Sequence, residues 1–210
     1  MDKDRDAYIK NFFNKWAALY DFVDIFISNL RIKTVDFTNA GNDSRILDVC
    51  TGTGKQAFAF AQRGYDVTGI DFSESILEVA KKKNQYSMVK FELMDATDMS
   101  FKDNYFDVAC ISLALHDMPL AVREKVLHEI VRVTKPKGTI VVIDYALPKN
   151  KIIGFLVYHF VKFYERKYYR EFVGCALKGL LVKSGIEIDN EFSMFLGAVK
   201  GLKGINNKAD

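Results

Sequence analysis

The sequence predicts an α/β fold. The sheet is doubly wound, mostly parallel and seven-stranded, ends in an antiparallel hairpin, and carries N-terminal helices and an inserted helical lid. Three observations predict it. Short apolar runs alternate with amphipathic stretches of helical period between residues 45 and 145, and such alternation builds a parallel sheet with helices on both faces. The run Phe106–Ser112 (FDVACIS) is apolar almost throughout, which suits a strand covered on both sides. The last two apolar runs are separated by very few residues. A parallel pair needs a long crossover, so this pair must be antiparallel.

Residues 6–35 place Phe12, Trp16, Leu19, Val23, Phe26 and Leu30 at helical spacing and read as one or two helices. Thr38–Ser44 (TNAGNDS) is a turn-rich break. Arg45–Val49 is the first strand, Lys55–Arg63 a helix with Gly64 placed to stop it, and Asp66–Ile70 the second strand. Ser73–Asn84 is a helix with Ser73 as N-cap and Glu74 in its first turn, where a negative charge meets the positive end of the helix dipole. Val89–Met94 and Phe106–Ser112 are the third and fourth strands. Leu120–Val133 is an amphipathic helix, Lys135–Gly138 a turn, and Thr139–Tyr145 the fifth strand. Phe172–Ser184 is a helix ended by Gly185, and Ile186–Ile188 and Phe192–Val199 are the closing strands around an Asp189-Asn190 turn. The chain therefore divides into a helical cap (1–40), a core (45–145), an aromatic and basic lid insertion (148–175) and a terminal helix with hairpin (176–200).

The 210 residues suffice for one domain with a full core. A net charge of +3 is too small for a dedicated nucleic-acid binder. The three Cys have no CxxC spacing, so neither a disulfide framework nor a zinc site is implied, and a reduced, cytoplasmic setting is expected. The N-terminal stretch MDKDRDAYIKNFFNKW carries charges throughout and lacks the apolar centre of a signal peptide. The charge is uneven: Pro148–Asp210 holds 11 Lys/Arg and 6 Asp/Glu.

The chemistry concentrates at the strand tips. The first strand runs into Asp48-Val-Cys-Thr-Gly52-Thr-Gly54, the second ends in Asp71, and Asp95 follows the third, at intervals of 23 and 24 residues. Each βα unit thus sets one carboxylate at the carboxyl edge of the sheet, where open α/β sheets bind ligands. Glycines in the first loop permit a tight turn and close ligand approach. An acid ending the second strand accepts hydrogen bonds from ribose hydroxyls. The spacing Gly52, Gly54, Ala57 also satisfies G-x-G-x-x-A, so a dinucleotide-dependent oxidoreductase is a rival reading. Asp48 weighs against it, because a carboxylate beside the loop repels a pyrophosphate but welcomes a cation. A molecule with adenosine at one end, an amino acid at the other and a cationic sulfonium between fits this distribution of acids: S-adenosylmethionine.

ILDVCTGTG (Ile46–Gly54) resembles the first motif of class I S-adenosylmethionine-dependent methyltransferases, and GIDFSESILEVAKKK (Gly69–Lys83) resembles the second. FELMDATDMSF (Phe91–Phe101) is similar to their adenine-binding segment, and FDVACISLALHDM and VRVTKPKGTIVVID to the later motifs. Cys50 stands where the first loop glycine is usual. That departure, with the ending GIEI…SMFLGAVKGLKG, resembles the ubiquinone/menaquinone-biosynthesis C-methyltransferases. The resemblance implies a Rossmann-like fold and S-adenosylmethionine as cofactor. It implies that Asp48, Thr51, Gly52 and Gly54 line the methionine and ribose part. Asp71 would hold the ribose hydroxyls with Phe72 against the adenine, and Asp95, Ala96 and Thr97 would meet the adenine edge. Ser112 and Leu113 would border the methyl group, and Tyr20 would close over the methionine end.

His116 is a candidate general base, since its ordinary pKa near 6.5 suits deprotonation of an acceptor. The alternative is a loop histidine that orders Asp117 or the backbone. The expected acceptor is a small, apolar or aromatic molecule such as a quinone precursor, with a lipid or amine as the second acceptor class and a non-catalytic protein as a third reading. No nucleic-acid partner is expected. The segment 151–174 is too short to span a membrane. Its aromatics and bases suit an apolar acceptor or a peripheral contact with an anionic membrane, against the plainer reading of a helix with aromatics inside and Lys/Arg outside.

Overall fold

The computed structural model describes residues 27–164 and 168–208, without the side chains of 160 and 162–164. Helix α1 covers 27–38. It is followed by β1 (Arg45–Val49), α2 (Lys55–Ala61), β2 (Asp66–Asp71), α3 (Glu74–Lys83), β3 (Val89–Leu93) and β4 (Phe106–Ser112). A 3-10 turn (Leu115–Asp117) leads to α4 (Leu120–Val133) and β5 (Thr134–Tyr145), then α5 (Lys151–Tyr164), α6 (Tyr169–Gly174), α7 (Leu177–Lys183), β6 (Ile186–Met194) and β7 (Val199–Asn206).

The strands form one sheet in the order β3-β2-β1-β4-β5-β7-β6. The first five are parallel, and β7 runs antiparallel to both β5 and β6. The expected fold class therefore holds. The order reverses between β1 and β4, which is the switch point where a crevice opens at the carboxyl edge of such a sheet.

Apolar side chains cover both faces. On one, Leu47, Val49, Ile111 and Val142 meet Leu127 and Ile130 of α4 and Leu181 of α7. On the other, Ile46, Val67, Cys110 and Val141 meet Leu30 of α1 and Phe60 of α2. Phe60 and Leu127 are fully buried, and each such side chain contributes about 1.5–3 kcal/mol on burial. Arg123 of α4 is also fully buried. Its Nε donates to the Leu115 carbonyl at 2.9 Å, and its Nη1 lies 3.2 Å from the Glu171 carboxylate, so it ties α6 to the turn after β4.

Three sequence expectations are corrected. The hairpin does not turn at Asp189-Asn190. Strand β6 runs through that pair, and a shift of register between Ile188 and Asn190 absorbs it as a bulge. The turn lies at Phe195–Gly197, where Phe195, Leu196 and Gly197 all have positive φ (52°, 56° and 95°). The helix expected over Phe172–Ser184 is two helices, because Cys175 is extended (φ −82°, ψ 129°) and breaks it. Lys135–Gly138 does not interrupt β5. The pairing jumps from Phe106–Thr134 to Val108–Thr139 with Lys137 left-handed at φ 60°, so the four residues bulge within one longer strand.

Candidate active site

The loop after β1 is held from below. The Asp48 carboxylate is 1% exposed. It accepts from the Thr51 hydroxyl at 2.5 Å and from the Ala57 backbone N–H in the first turn of α2. The Thr51 N–H donates to the Ile70 carbonyl at 2.8 Å, which ties the loop to β2. Burial pushes the Asp48 carboxyl up to about 7, against the downward pull of its two hydrogen bonds. Asp48 therefore sits beneath the loop, and its charge acts on the space above through the loop it shapes.

Asp71 bridges two segments. Its Oδ2 accepts from the Gly52 N–H and its Oδ1 from the Ser73 N–H, both at 3.0 Å. Phe72 next to it is 61% exposed. Asp95 is exposed, with Oδ1 accepting from both the backbone N–H and the hydroxyl of Thr97 at 2.8 Å. Ala96 packs partly buried against the core. Burial first, then the Asp71, Asp48 and Asp95 carboxylates, push the Cys50 thiol up to about 12. Asp48 and Asp71 both hydrogen-bond to the loop after β1, and Asp95 holds the turn after β3.

The glycines differ in what they permit. Gly52 has φ +56°, and a Cβ built there meets nothing within 4 Å, so its Cα borders open space. Gly54, at φ +80°, has no such room. A Cβ would lie 2.6 Å from Cζ of Phe91, which rises from β3 beneath it. Two non-glycine residues share the left-handed region, Cys50 at φ 57° after β1 and Leu113 at φ 53° after β4. This conformation costs an L-residue about 1–2 kcal/mol, and such strain clusters at ligand sites. Both residues flank the switch point, with Ser112 half-buried beside Leu113.

His116 does not sit open at the cleft mouth. It is 3% exposed. Its Nδ1 lies 2.7 Å from Oδ1 of Asp144, at the end of β5. Asp144 is fully buried and also accepts from the backbone N–H groups of His116 (3.2 Å) and Tyr145 (2.7 Å). A carboxylate holding two N–H donors is an acceptor, so Nδ1 carries the proton and Nε2 is the basic nitrogen. Asp117 stands 3.9 Å from Nε2, beyond hydrogen-bond reach. Tyr145 (ring centroids 4.6 Å apart) and Phe172 (6.2 Å) wall the imidazole edge-on, and Tyr169 packs 5.9 Å from Tyr145. The Tyr169 hydroxyl is buried without a hydrogen-bond partner.

Sequence reasoning missed Asp144, Tyr145 and Tyr169. The rule that found Asp71 and Asp95, an acid at a strand's carboxyl end, also reaches Asp144. Tyr20 lies outside the described residues.

The geometry tests the fit of S-adenosylmethionine. The open side of Gly52, the acid pair Asp71 and Asp95, and the exposed Phe72 ring suit an adenosine. The negative charge of Asp71 and Asp95 at neighbouring strand tips suits a cation.

The model of a methyltransferase domain matches residues 46–138. A demethylmenaquinone methyltransferase of Desulfitobacterium hafniense is 33% identical over 159 residues, covering 70% of this chain and 62% of the relative. One from Bacillus licheniformis is 30% identical over 172 residues, covering 78% and 72% respectively. A SAM-dependent methyltransferase structure from Methanosarcina mazei superposes with a TM-score of 0.63 at 20% identity, over 79% of this chain and 93% of that one. The chain spans less than two thirds of the length of the Desulfitobacterium relative. With this sheet order, this loop and these relatives, the chain belongs to the class I S-adenosylmethionine-dependent methyltransferases, in the group that contains the demethylmenaquinone methyltransferases.

Proposed function

We propose that this protein transfers a methyl group from S-adenosylmethionine to a small aromatic acceptor of the quinone-precursor type. The observation that carries the reading is the loop after β1, held by Asp48 through the Thr51 hydroxyl and by Asp71 through the Gly52 N–H, with Gly52 bordering open space. Asp71 and the open side of Gly52 would hold the ribose, Phe72 the adenine face, and Asp95 with Ala96 and Thr97 the adenine edge. Thr51 and Gly54 shape the loop, and Ser112 and Leu113 border the reacting end. The bound cofactor supplies an electrophilic methyl group on a sulfonium.

The protein's own residues work on the acceptor. Asp144 fixes the imidazole tautomer through the 2.7 Å contact to Nδ1. His116 Nε2 then takes the proton of an acceptor hydroxyl, which raises electron density on the ring carbon that is methylated; that carbon afterwards loses its own proton to solvent and the oxygen regains one from His116, which restores the aromatic ring. Tyr145 and Phe172, edge-on to the imidazole, exclude water from that proton transfer. Holding acceptor and methyl group in line lowers the barrier by several kcal/mol in addition. Tyr169 and Phe172 of α6 supply part of this aromatic wall.

The relatives' names favour a quinone-type acceptor over a lipid or amine. The test is methyl transfer from labelled S-adenosylmethionine to a naphthohydroquinone, with an amine acceptor alongside. The expected result is label on the naphthohydroquinone, with kcat of His116→Gln and Asp144→Asn lowered about 100-fold at unchanged S-adenosylmethionine affinity and a flattened acid limb of the pH profile. Transfer to the amine alone would overturn the acceptor. An unchanged pH profile in both variants would remove His116 from the chemistry.

A further inference from the structure

The outer side of α5 has no protein partner among the described residues that would account for its composition. Ile152, Phe155 and Leu156 are 74%, 63% and 61% exposed. They lie at the i, i+3 and i+4 spacing of one helical stripe. The opposite side is turned inward: Gly154 and Val161 are buried, and Tyr158 packs 5.8 Å from Tyr169. The helix is therefore apolar on both sides, and one of its apolar stripes faces solvent.

A second element extends the patch. Leu196, at the tip of the β6–β7 hairpin, is 79% exposed and held at φ 56°. A Cβ built at the adjacent Gly197 would lie 3.3 Å from Cα of Pro148, so the hairpin tip rests on the chain entering α5. Leu147, 43% exposed, precedes that proline. Two separate parts of the sequence thus present large apolar side chains on one surface, one of them at a strained backbone position.

The chain entering and forming α5 carries cations and no acid. Residues 146–164 contain three Lys and no Asp or Glu, and Lys149 and Lys151 are exposed at the positive end of the α5 dipole. A second copy of this chain docking through the same patch would set lysines against lysines. Protein interfaces are also depleted in Lys, whereas apolar anchors beside basic side chains match the interface of an anionic bilayer.

We infer that Leu147, Ile152, Phe155, Leu156 and Leu196, flanked by Lys149 and Lys151, dock this protein on an anionic membrane surface. The helix lies in the plane of the interface, and its inner side connects through Tyr158, Tyr169 and Tyr145 to His116. The surface stands apart from the cofactor loop, so it is tested separately from the enzymatic reading.

The full chain is sedimented with phosphatidylcholine vesicles, with and without phosphatidylglycerol, at low and high salt. Binding of S-adenosylhomocysteine is measured in every variant without vesicles as a control of folding and of the cofactor site. The wild type is expected to pellet with the anionic vesicles and to be released by salt. Phe155→Glu with Leu156→Glu, and separately Leu196→Glu, should each weaken partitioning about tenfold or more, with S-adenosylhomocysteine binding unchanged. Lys149→Ala with Lys151→Ala should weaken it about tenfold on anionic vesicles only. Three results would overturn the inference: a wild type that stays in the supernatant with both vesicle types, apolar variants that pellet as the wild type does, or a wild-type dimer that those variants dissociate.

Discussion

Replacing Asp48 by Asn should make the ligand-free protein more stable at pH 8 and a poorer binder of S-adenosylmethionine. The carboxyl is 1% exposed, and burial raises its pKa from 3.8 to about 7. A folded pKa above the unfolded one means that the folded chain holds this proton more tightly. The stability it confers is complete below about pH 4 and is lost as the pH climbs through about 7. Each unit corresponds to about 1.4 kcal/mol, so the shift of about three units bounds the loss at about 4 kcal/mol. Asn keeps an oxygen for the Thr51 hydroxyl but sets an amide near the Ala57 N–H, and a lost hydrogen bond offsets about 1–2 kcal/mol. The net gain is about 2 kcal/mol at pH 8, or about 4–8 °C in Tm for a chain of this size. Calorimetric melting of both proteins at pH 5 and pH 8 measures it. The gain should vanish at pH 5, and S-adenosylmethionine should raise the wild-type Tm more than the variant's. A variant less stable than the wild type at both pH values would refute the reasoning.

Three further outcomes follow from the same loop. Gly52→Ala should cost only about 1–2 kcal/mol of stability, the strain of a left-handed alanine, yet weaken cofactor binding about tenfold, because the new Cβ enters space that the fold leaves open. Gly54→Ala should destabilise by about 2 kcal/mol or more, since its Cβ would meet the Phe91 ring at 2.6 Å; urea unfolding and calorimetric titration separate the two effects. Cys50, with its thiol at about 12, should resist iodoacetamide at pH 8 in the folded protein and react at an ordinary thiol rate once unfolded, as mass spectrometry would report.

The sheet and the acid positions were legible because both follow from local periodicity. A strand of five or six residues with an acid close to its carboxyl end announces where its tip lies: Asp48 is the penultimate residue of β1, Asp71 the last of β2, and Asp95 stands two residues beyond β3. The hairpin was misplaced because Asp189 and Asn190 are turn formers, while the real turn rests on Phe195 and Leu196, which side-chain propensity argues against. Pairing of β6 with β7 along eight registers outweighed that local preference. The His116–Asp144 contact joins residues 28 apart through adjacent strands, and no periodicity within one element encodes it. The apolar character of α5 was visible as an aromatic and basic segment, but which side faces outward depends on how Tyr158 meets Tyr169 of α6.

Calorimetric titration of the wild type and Asp71→Ala with S-adenosylhomocysteine tests the cradle most directly. Asp71 carries the Gly52 N–H on one oxygen and the Ser73 N–H on the other, so its loss should abolish a binding heat that the wild type gives at micromolar concentration, on the order of 8 kcal/mol of binding free energy. Equal binding by both proteins, or heat from NAD and none from S-adenosylhomocysteine, would contradict the account.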